Sequence, residues 1–573
     1  MRKAVRPLLL LCFAVRLHGD PLPDFSTNTP SARVSRSADS LVFETLKPCD
    51  WPWDIQATAA SALAVKAGDH LLASFRARAV RSTAASGEAL FYFGFEQARD
   101  PWAKSVDQPL RAGARWTRMQ VPFQAAADYA PGAAQMVFRI GFTPQAFEIR
   151  DFRLTDEGSQ QPPASIPSYP GREKNAAWRK AALARIQKLR TAPLTVKVVD
   201  ASGKPLRGAR VRARQTKSAF RWGTAISAKT LFLGEESPDK ARYREAARQY
   251  FNIVTEENSF KWKSSAGDNG PGFSLGLGLR AAEWAREAGL DFRGHNLLWP
   301  SWHNSPKLAE KLKDRPAELR RAILDHVRET VAAAQGQVAD WDVINEPWDN
   351  HDIMDALGGD AILADCFRAA AEADPRARLF INDYAIIEGG PGESTHRARY
   401  ERVIHDLIQA GVRLDGIGIQ GHFGQPLTAP VDCLQTLDRF AAFKRPLLIT
   451  EYDIEETDEA LTGDYLRDLL ILCYSHPAVE GFMMWGFWDA KHWHKNAPLF
   501  HQDWSPKPAL KVWQELVLGA WRSDEKAVTG DAGQAQVRAH LGDYEVWVEK
   551  DGKSLRQLCR LGKEGQVLTV TLP

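Results

Sequence analysis

From Phe220 onward the chain alternates short apolar runs with stretches of helical period, and it does so eight times. The runs are Phe220 to Ala225, Tyr250 to Thr255, Asp291 to His295, Trp341 to Ile344, Arg378 to Ile381, Gly416 to Ile419, Leu447 to Thr450 and Gly481 to Trp485. Between them lie helical runs such as Glu318 to Ala334, His396 to Ala410 and Ala460 to Tyr474. Eight strand-then-helix units predict an α/β fold, a (β/α)₈ TIM barrel over residues 220–522, with the carboxyl ends of all strands gathered on one face.

The flanks have a different period. From about Ser35 to Asp156, runs such as Leu71 to Arg78, Leu90 to Phe95, Trp116 to Phe123 and Met136 to Phe142 carry β signals, several alternating apolar with polar as half-buried antiparallel strands do. They predict a jelly-roll-like β-sandwich over residues 35–157. Gln160 to Gly171 is rich in Pro, Ser and Gln and reads as a linker. A basic helix, Glu173 to Arg190, follows, with Trp178, Ile186 and Leu189 at helical spacing; linker and helix together span 158–191. Two short strands, Leu194 to Asp200 and Ala209 to Ala213, precede the barrel, and Val537 to Leu541, Tyr544 to Val548 and Val567 to Val570 follow it. Neither piece buries a core alone. The run Val199 to Val211 resembles the opening of a carboxypeptidase-regulatory-like β-sandwich, and Thr529 to Gly533 with Gly542 to Val548 resembles its continuation. Residues 192–219 and 523–573 are therefore expected to form one discontinuous small β-sandwich, which requires Thr195 to Val199 to pair with the last fifty residues.

A chain of 573 residues accommodates several units with sizeable cores. Its 74 Lys+Arg against 71 Asp+Glu are nearly balanced, so nothing in the charge argues for a nucleic-acid or acidic-polymer partner across the whole chain, and none is expected. Six Cys at positions 12, 49, 366, 433, 473 and 559 form no C-x-x-C and no His-Cys cluster, so no metal or redox cofactor is expected. Met1 to Arg6 is basic and Pro7 to Val15 apolar, the pattern of a signal peptide over residues 1–19 and too short for a membrane span. Export to the cell envelope or beyond is the expectation, with an N-terminal anchor as the alternative, and no later segment is apolar enough to span a bilayer.

The chemistry lies at the strand ends. Glu257, Asn258 and Lys261 follow strand 2; His295 and Trp299, strand 3; Asn345 and Glu346, strand 4; Asn382, Asp383 and Tyr384, strand 5; Gln420 and His422, strand 6; Glu451 and Asp453, strand 7; Trp485 and Trp493, strand 8. A polar, Trp-walled cleft with two glutamates is suited to reading hydroxyls and splitting a glycosidic bond. Asn345-Glu346-Pro347, Thr450-Glu451, Gly418-Ile419-Gln420-Gly421-His422, Arg293 to Trp299 and Asn382-Asp383-Tyr384 together resemble glycoside hydrolase family 10, the endo-1,4-β-xylanase family, over about Phe220 to Val517. The resemblance implies Glu346 as general acid/base, Glu451 as nucleophile, Asn345 as a donor to the sugar 2-hydroxyl and His422 as the residue holding the nucleophile. It implies Glu257, Asn258 and Lys261 as the grip on the non-reducing side, and His295, Trp299, Tyr384, Gln420, Trp485 and Trp493 as further substrate contacts. Two stretches depart from the family pattern. Pro300-Ser301-Trp302-His303 follows Trp299 where the family usually has Trp-His-x-Gln, leaving those contacts to His303 and Asn304, and Gly267 to Gly272 replaces a Glu-Pro loop.

The implied activity is retaining hydrolysis of internal β-1,4 bonds of xylan by an exported monomer, with a β-1,4-glucanase as the alternative and a non-catalytic polysaccharide-binding protein as the competitor from another class. A retaining mechanism needs carboxyls about 5–5.5 Å apart. Glu346 is then expected to be protonated and Glu451 ionised. Phe147 to Leu154 resembles the last strand of jelly-roll carbohydrate-binding modules. Trp51, Trp53 and Trp102, in Pro/Asp-rich loops, either cap the sandwich core or present a sugar platform.

Overall fold

The computed structural model describes residues 22–27, 29–158, 168–390, 392 and 394–573. The expected signal peptide and most of the expected linker lie outside these residues. The described chain forms two compact units, residues up to about 166 and residues from about 167 onward.

The first unit is a sandwich of two five-stranded antiparallel sheets. One sheet runs in the order Ser26–Thr27, Gln56–Ala60, Ala134–Arg139, Ala89–Gln97, Lys104–Ala112. The other runs Ala32–Arg36, Ser40–Thr45, Gln145–Gly158, His70–Ser82, Thr117–Gln124. Alternation decides which side chains meet. Phe91, Phe93 and Phe95 point into the core with Phe43, Phe75, Phe138 and Phe147, while Tyr92, Gly94 and Glu96 occupy the opposite face. The sandwich begins earlier than residue 35: Phe25 is 4% exposed in the core, and Ala32–Arg36 pairs with Ser40–Thr45. That strand reads ARVSR, too polar to announce itself.

The second unit contains a closed barrel of eight parallel strands: Arg221–Ile226, Ile253–Glu256, Asp291–Gly294, Asp340–Asn345, Arg378–Asp383, Gly416–Phe423, Leu447–Ile454 and Val479–Met484. We refer to them as barrel strands 1 to 8. Strand 2 starts at Ile253, three residues later than Tyr250, because Tyr250 completes the preceding helix Pro238–Tyr250. Inside the barrel Ile253, Phe380, Leu448 and Met483 form an apolar plug. Against it lies an ionic cluster: Arg293 donates to Asp340 at 2.9 Å and to Asp342, its guanidinium resting 4.6 Å from the Phe380 ring centre. Buried charges in this cluster survive because each is paired and hydrogen-bonded. The helix before the barrel, Ala177–Leu189, is four residues shorter at its start than expected. It is clamped by Arg179, whose guanidinium bonds both oxygens of the fully buried Asp468 at 3.0 and 2.7 Å, with Tyr169 donating to the same carboxylate at 2.9 Å.

Strands from both sides of the barrel sequence build a further, small β-sandwich within this unit. Thr191–Val199 pairs antiparallel with Gln534–His540 and parallel with Gln566–Thr571. Arg210–Ser218 lies between Asp524–Val528 and Gly542–Lys550, with Lys553–Leu561 at the edge. Leu194, Val196, Val198, Val211, Tyr544, Val546, Val548 and Val570 fill the space between the sheets.

Candidate active site

Barrel strand 4 ends at Asn345. The next residue, Glu346, has a left-handed backbone at φ +52°, a conformation that costs a non-glycine residue roughly 1–3 kcal/mol and persists only where its surroundings enforce it. Here the Glu346 amide donates to the Asn382 carbonyl at 2.8 Å, and Pro347 has no amide with which to continue the strand. Glu346 Oε1 accepts from Gln420 Nε2 at 3.0 Å and Asn345 Nδ2 at 3.3 Å; Oε2 accepts from Asn350 Nδ2 at 3.4 Å. Burial is the main force on its acidity, aided by the nearby carboxylates of Glu451, Asp383 and Asp349. Together they outweigh the Gln420 hydrogen bond and push Glu346 up from 4.5 to about 8.

Glu451, near the middle of barrel strand 7, is 4% exposed. Its Oε1 accepts from Asn382 Nδ2 at 2.7 Å, and His422 Nε2 lies 3.3 Å from Oε2. Burial alone would raise this carboxyl. The hydrogen bond from His422, the electrostatic influence of His295 and His422 and the Asn382 amide reverse that, and Glu451 titrates below the ordinary glutamate value. His422 is itself held between two acceptors, with Nδ1 2.8 Å from Asp453 Oδ1. Burial opposes its charge, but Asp453 and Glu451 prevail, so its pKa lies well above 6.5 and both ring nitrogens donate at neutral pH. Asp453 also accepts from Trp493 Nε1 at 2.6 Å; despite burial, the His422, His492 and Trp493 contacts hold it down at about 2.

Asn382, at the end of barrel strand 5, joins the two glutamates. Thr450 donates to its Oδ1 at 2.7 Å, which leaves Nδ2 to face Asn345 Oδ1 at 2.9 Å as well as Glu451. A continuous hydrogen-bonded path thus runs Glu346, Asn345, Asn382, Glu451. Gly418 makes room for it, since a Cβ there would stand 2.5 Å from Asn382 Oδ1.

The remaining expected residues sit around this pair. His295 is fixed by Asp342 at 3.0 Å and meets Trp485 edge-to-face with ring centres 5.0 Å apart. Trp493 is 55% exposed and its ring packs at 5.3 Å against His422. Tyr384 donates to Asp349 at 2.7 Å. Lys261, Asn258 and Trp299 form a separate group: Lys261 Nζ donates to Asn258 at 3.0 Å and stands 5.1 Å from the centre of the Trp299 ring. Glu257 is half-buried at the end of barrel strand 2, beside the buried Glu256, which accepts the amides of Ala228 and Asn258 at 3.1 and 3.0 Å. Of the residues expected to replace the missing strand 3 contacts, Asn304 reaches Asn350 at 3.1 Å and so joins the Glu346 network, while His303 uses its carbonyl to accept Lys263. Asn350, and the bridging role of Asn382, escaped the sequence reading; the motif around Asn382 was visible, but its partner Thr450 comes from another strand. Among the described residues no group of three His, Cys, Asp or Glu is arranged to hold a metal ion.

A protonated and an ionised carboxyl linked by one amide path can act as acid and nucleophile on a single bond. The family model described as glycosyl hydrolase family 10 matches residues 212–516. The anti-sigma-I factor RsgI6 of Acetivibrio thermocellus is 30% identical over 382 residues, 66% of this chain and 47% of that protein. Endo-1,4-beta-xylanase 2 of Arabidopsis thaliana is 29% identical over 345 residues, 60% of this chain and 31% of that one. The chain thus spans less than half of the length of these two relatives. Endo-1,4-beta-xylanase 3 of Hypocrea jecorina (strain QM6a) is 34% identical over 269 residues, 45% of this chain and 72% of its own. Among solved structures, xylanase 10B from Thermotoga petrophila in complex with xylobiose aligns with a TM-score of 0.47 at 26% identity, covering 53% of this chain and 95% of the other. With more than half of its length matched by that family model, the eight-stranded barrel and its paired glutamates place the chain in glycosyl hydrolase family 10.

Proposed function

We propose that the protein is an exported, retaining endo-1,4-β-xylanase in which Glu346 is the general acid/base and Glu451 the nucleophile. The observation that carries this reading is the opposite displacement of two carboxyls on one hydrogen-bonded path: Glu346 raised to about 8, Glu451 lowered. The xylanase names of several relatives support xylan as substrate, and the basic-then-apolar N-terminus supports export.

In the first step Glu451 attacks the anomeric carbon while Glu346 gives its proton to the departing glycosidic oxygen, leaving a glycosyl ester on Glu451 and a carboxylate at Glu346. Because Glu451 loses its charge as Glu346 gains one, the two carboxylates are never charged together, and the influence of Glu451 that opposed ionisation of Glu346 is removed. In the second step Glu346 takes a proton from water, whose oxygen attacks the anomeric carbon and releases Glu451, with net retention. The imidazolium of His422 favours Glu451 as the anion it must be at the start and end of the cycle. The carboxyls of Glu346 and Glu451 are expected about 5–5.5 Å apart, too close for a water between attacking oxygen and sugar.

Two variants separate the roles. A Glu346→Ala enzyme is expected to be glycosylated still by aryl xylobiosides with good leaving groups, and azide should restore turnover with retention. A Glu451→Ala enzyme should lose the covalent step, and azide should give inverted product. The opposite stereochemical outcomes, or an inverting parent enzyme, would refute the assignment. Reducing-sugar release from arabinoxylan, glucuronoxylan and carboxymethylcellulose tests the substrate, and preference for the last would make the protein a glucanase.

A further inference from the structure

The first unit carries a cleft of about 650 Å³ that the barrel chemistry does not use. It lies on the outer face of the sheet that contains Gln56–Ala60, Ala134–Arg139 and Ala89–Gln97, the face opposite the phenylalanine core. Gln56, Glu96, Gln135 and Arg139 line it from the strands, and Trp53 and Trp102 from the loops at its rim. The volume falls within the roughly 300–1,000 Å³ of small-molecule clefts.

The two indoles keep 52% and 48% of their surface exposed, which leaves large flat apolar faces in water beside a hydrogen-bonding floor. They are also held in place. Trp53 stacks on Trp51 with ring centres 5.2 Å apart and planes 4° from parallel. Its loop is pinned by Asp54, which accepts the amides of Asp50 and Trp51 at 3.1 and 2.8 Å. The loop also lies directly on Gly141, where a Cβ would stand 2.3 Å from the Trp51 carbonyl. Trp102 has a left-handed backbone at φ +58°, with its amide bonded to the Arg99 carbonyl at 2.9 Å. Such a backbone conformation persists only where the surrounding structure enforces it. Rings fixed in advance lose little entropy when a ligand stacks on them.

The floor selects against charge. Arg139 is paired with Glu96 at 2.5 Å and with Asp107, Lys104 with Asp107 at 2.7 Å, and Gln135 donates to Glu96 at 3.0 Å. With both cations committed to carboxylates, an anionic polymer finds no spare positive charge. A neutral ligand with flat C–H faces and many hydroxyls fits both the indoles and the amide- and carboxylate-lined floor. We propose that this cleft binds a segment of β-1,4-linked xylan, engaging pyranose faces with Trp53 and Trp102 and hydroxyls with Gln56, Gln135 and Glu96. The choice of xylan over other neutral glycans rests on the reading of the barrel as a xylanase. A second binding site on one chain raises the local concentration of polymer at the first, which matters most where substrate is insoluble.

The test uses the full chain. Retention on washed insoluble xylan and on cellulose is measured in a Glu451→Ala background, comparing intact tryptophans with W53A/W102A and with W53F/W102F. Hydrolysis is measured separately in the otherwise unaltered enzyme. Loss of both indoles is expected to weaken retention on xylan about ten-fold, equivalent to about 1.4 kcal/mol, with partial recovery for the phenylalanines. Activity on soluble aryl xylobioside should be unchanged and activity on insoluble xylan reduced. Equal retention of all three proteins on xylan, or tryptophan-dependent retention on cellulose only, overturns the proposal. If the tryptophan-dependent retention is present but no xylan is cleaved, the cleft stands and the xylanase reading falls; cleavage without such retention has the reverse meaning. Should W53A/W102A lose the sandwich's thermal transition, the phenylalanine pair decides, and retention equal to the parent together with unchanged insoluble-xylan hydrolysis overturns it.

Discussion

Glu346→Gln is expected to stabilise the protein progressively as the pH is raised, because it removes a proton that the native state binds more tightly than the unfolded one. Below about pH 4.5 the carboxyl is protonated in both states and contributes nothing to the balance. Between 4.5 and about 8 the unfolded chain releases the proton while the folded chain keeps it, so the parent loses stability with rising pH. Above about 8 both are ionised and the penalty is constant. At about 1.36 kcal/mol per pH unit the ceiling is about 5 kcal/mol. Glu346 is only partly buried, and solvent screening reduces this to about 2–3 kcal/mol. For a cooperative unit of roughly 300 residues that corresponds to about 3–5 °C in Tm. Thermal melts of parent and variant from pH 4 to 9 give the difference directly. A glutamine Nε2 facing the donors of Gln420 and Asn350 adds an offset at every pH but no slope. A Tm difference that stays flat between pH 5 and 8.5, or that moves in the parent's favour, would refute the reasoning. Glu451→Gln should behave oppositely: the parent's lowered carboxyl contributes stability above about 4.5 that is lost as pH falls through its folded value, so this variant should fall behind the parent as pH rises through that window.

The pH profile of kcat/KM should fall on its alkaline side near 8, where Glu346 gives up its proton, and Gln420→Ala, by removing a hydrogen bond that lowers Glu346, should move that limb upward. Asn382→Ala takes one donor from Glu451 and strands the Thr450 hydroxyl and Asn345 carbonyl; kcat/KM should drop about 10²-fold and the acid limb should rise, while an unchanged acid limb would show that the amide does not tune the nucleophile. Gly418→Ala should reproduce part of that loss by displacing Asn382, with far-UV circular dichroism unchanged. Arg179→Ala leaves the buried Asp468 carboxylate with only Tyr169 and Arg467, each donating to it at 2.9 Å, at an expected cost of about 1.5–3 kcal/mol. Its check is the denaturant midpoint.

The barrel was legible because its strands are short apolar runs that stop at polar residues, and the ends of those runs list the site almost in order. Asn345, Glu346, Gln420, His422 and Glu451 could be named from local sequence because each lies at or beside such an end. What stayed hidden depends on other strands. Asn382 is a bridge only because Thr450 orients its amide and Gly418 leaves space for it. Asn350 reaches Glu346 from a loop with no apolar run to mark it. Strands Asp524–Val528 and Lys553–Leu561 in the small sandwich were missed for a related reason. Both present polar or exposed side chains along much of their length, with Leu555 and Leu558 facing water, so the period-2 signal that marks a half-buried strand is blunted.

The pairing of Thr191–Val199 with Gln534–His540 and Gln566–Thr571 has a temporal meaning. A strand made before the barrel waits for partners translated more than 330 residues later. Closing so long a flexible loop would cost about 5 kcal/mol. A folded barrel removes most of that cost, because its first strand begins at Arg221, just after Ser218, and its final helical turn ends near Trp521, just before Asp524. The barrel therefore brings the two halves to each other, and the small sandwich can fasten, like a clasp, only once Gln534–His540 and Gln566–Thr571 have been made. Removing only the final strand would leave Thr191–Val199 with one open edge, and such a truncated chain should emerge with its barrel formed and its clasp unfastened, an exposed pairing edge prone to joining a neighbour's.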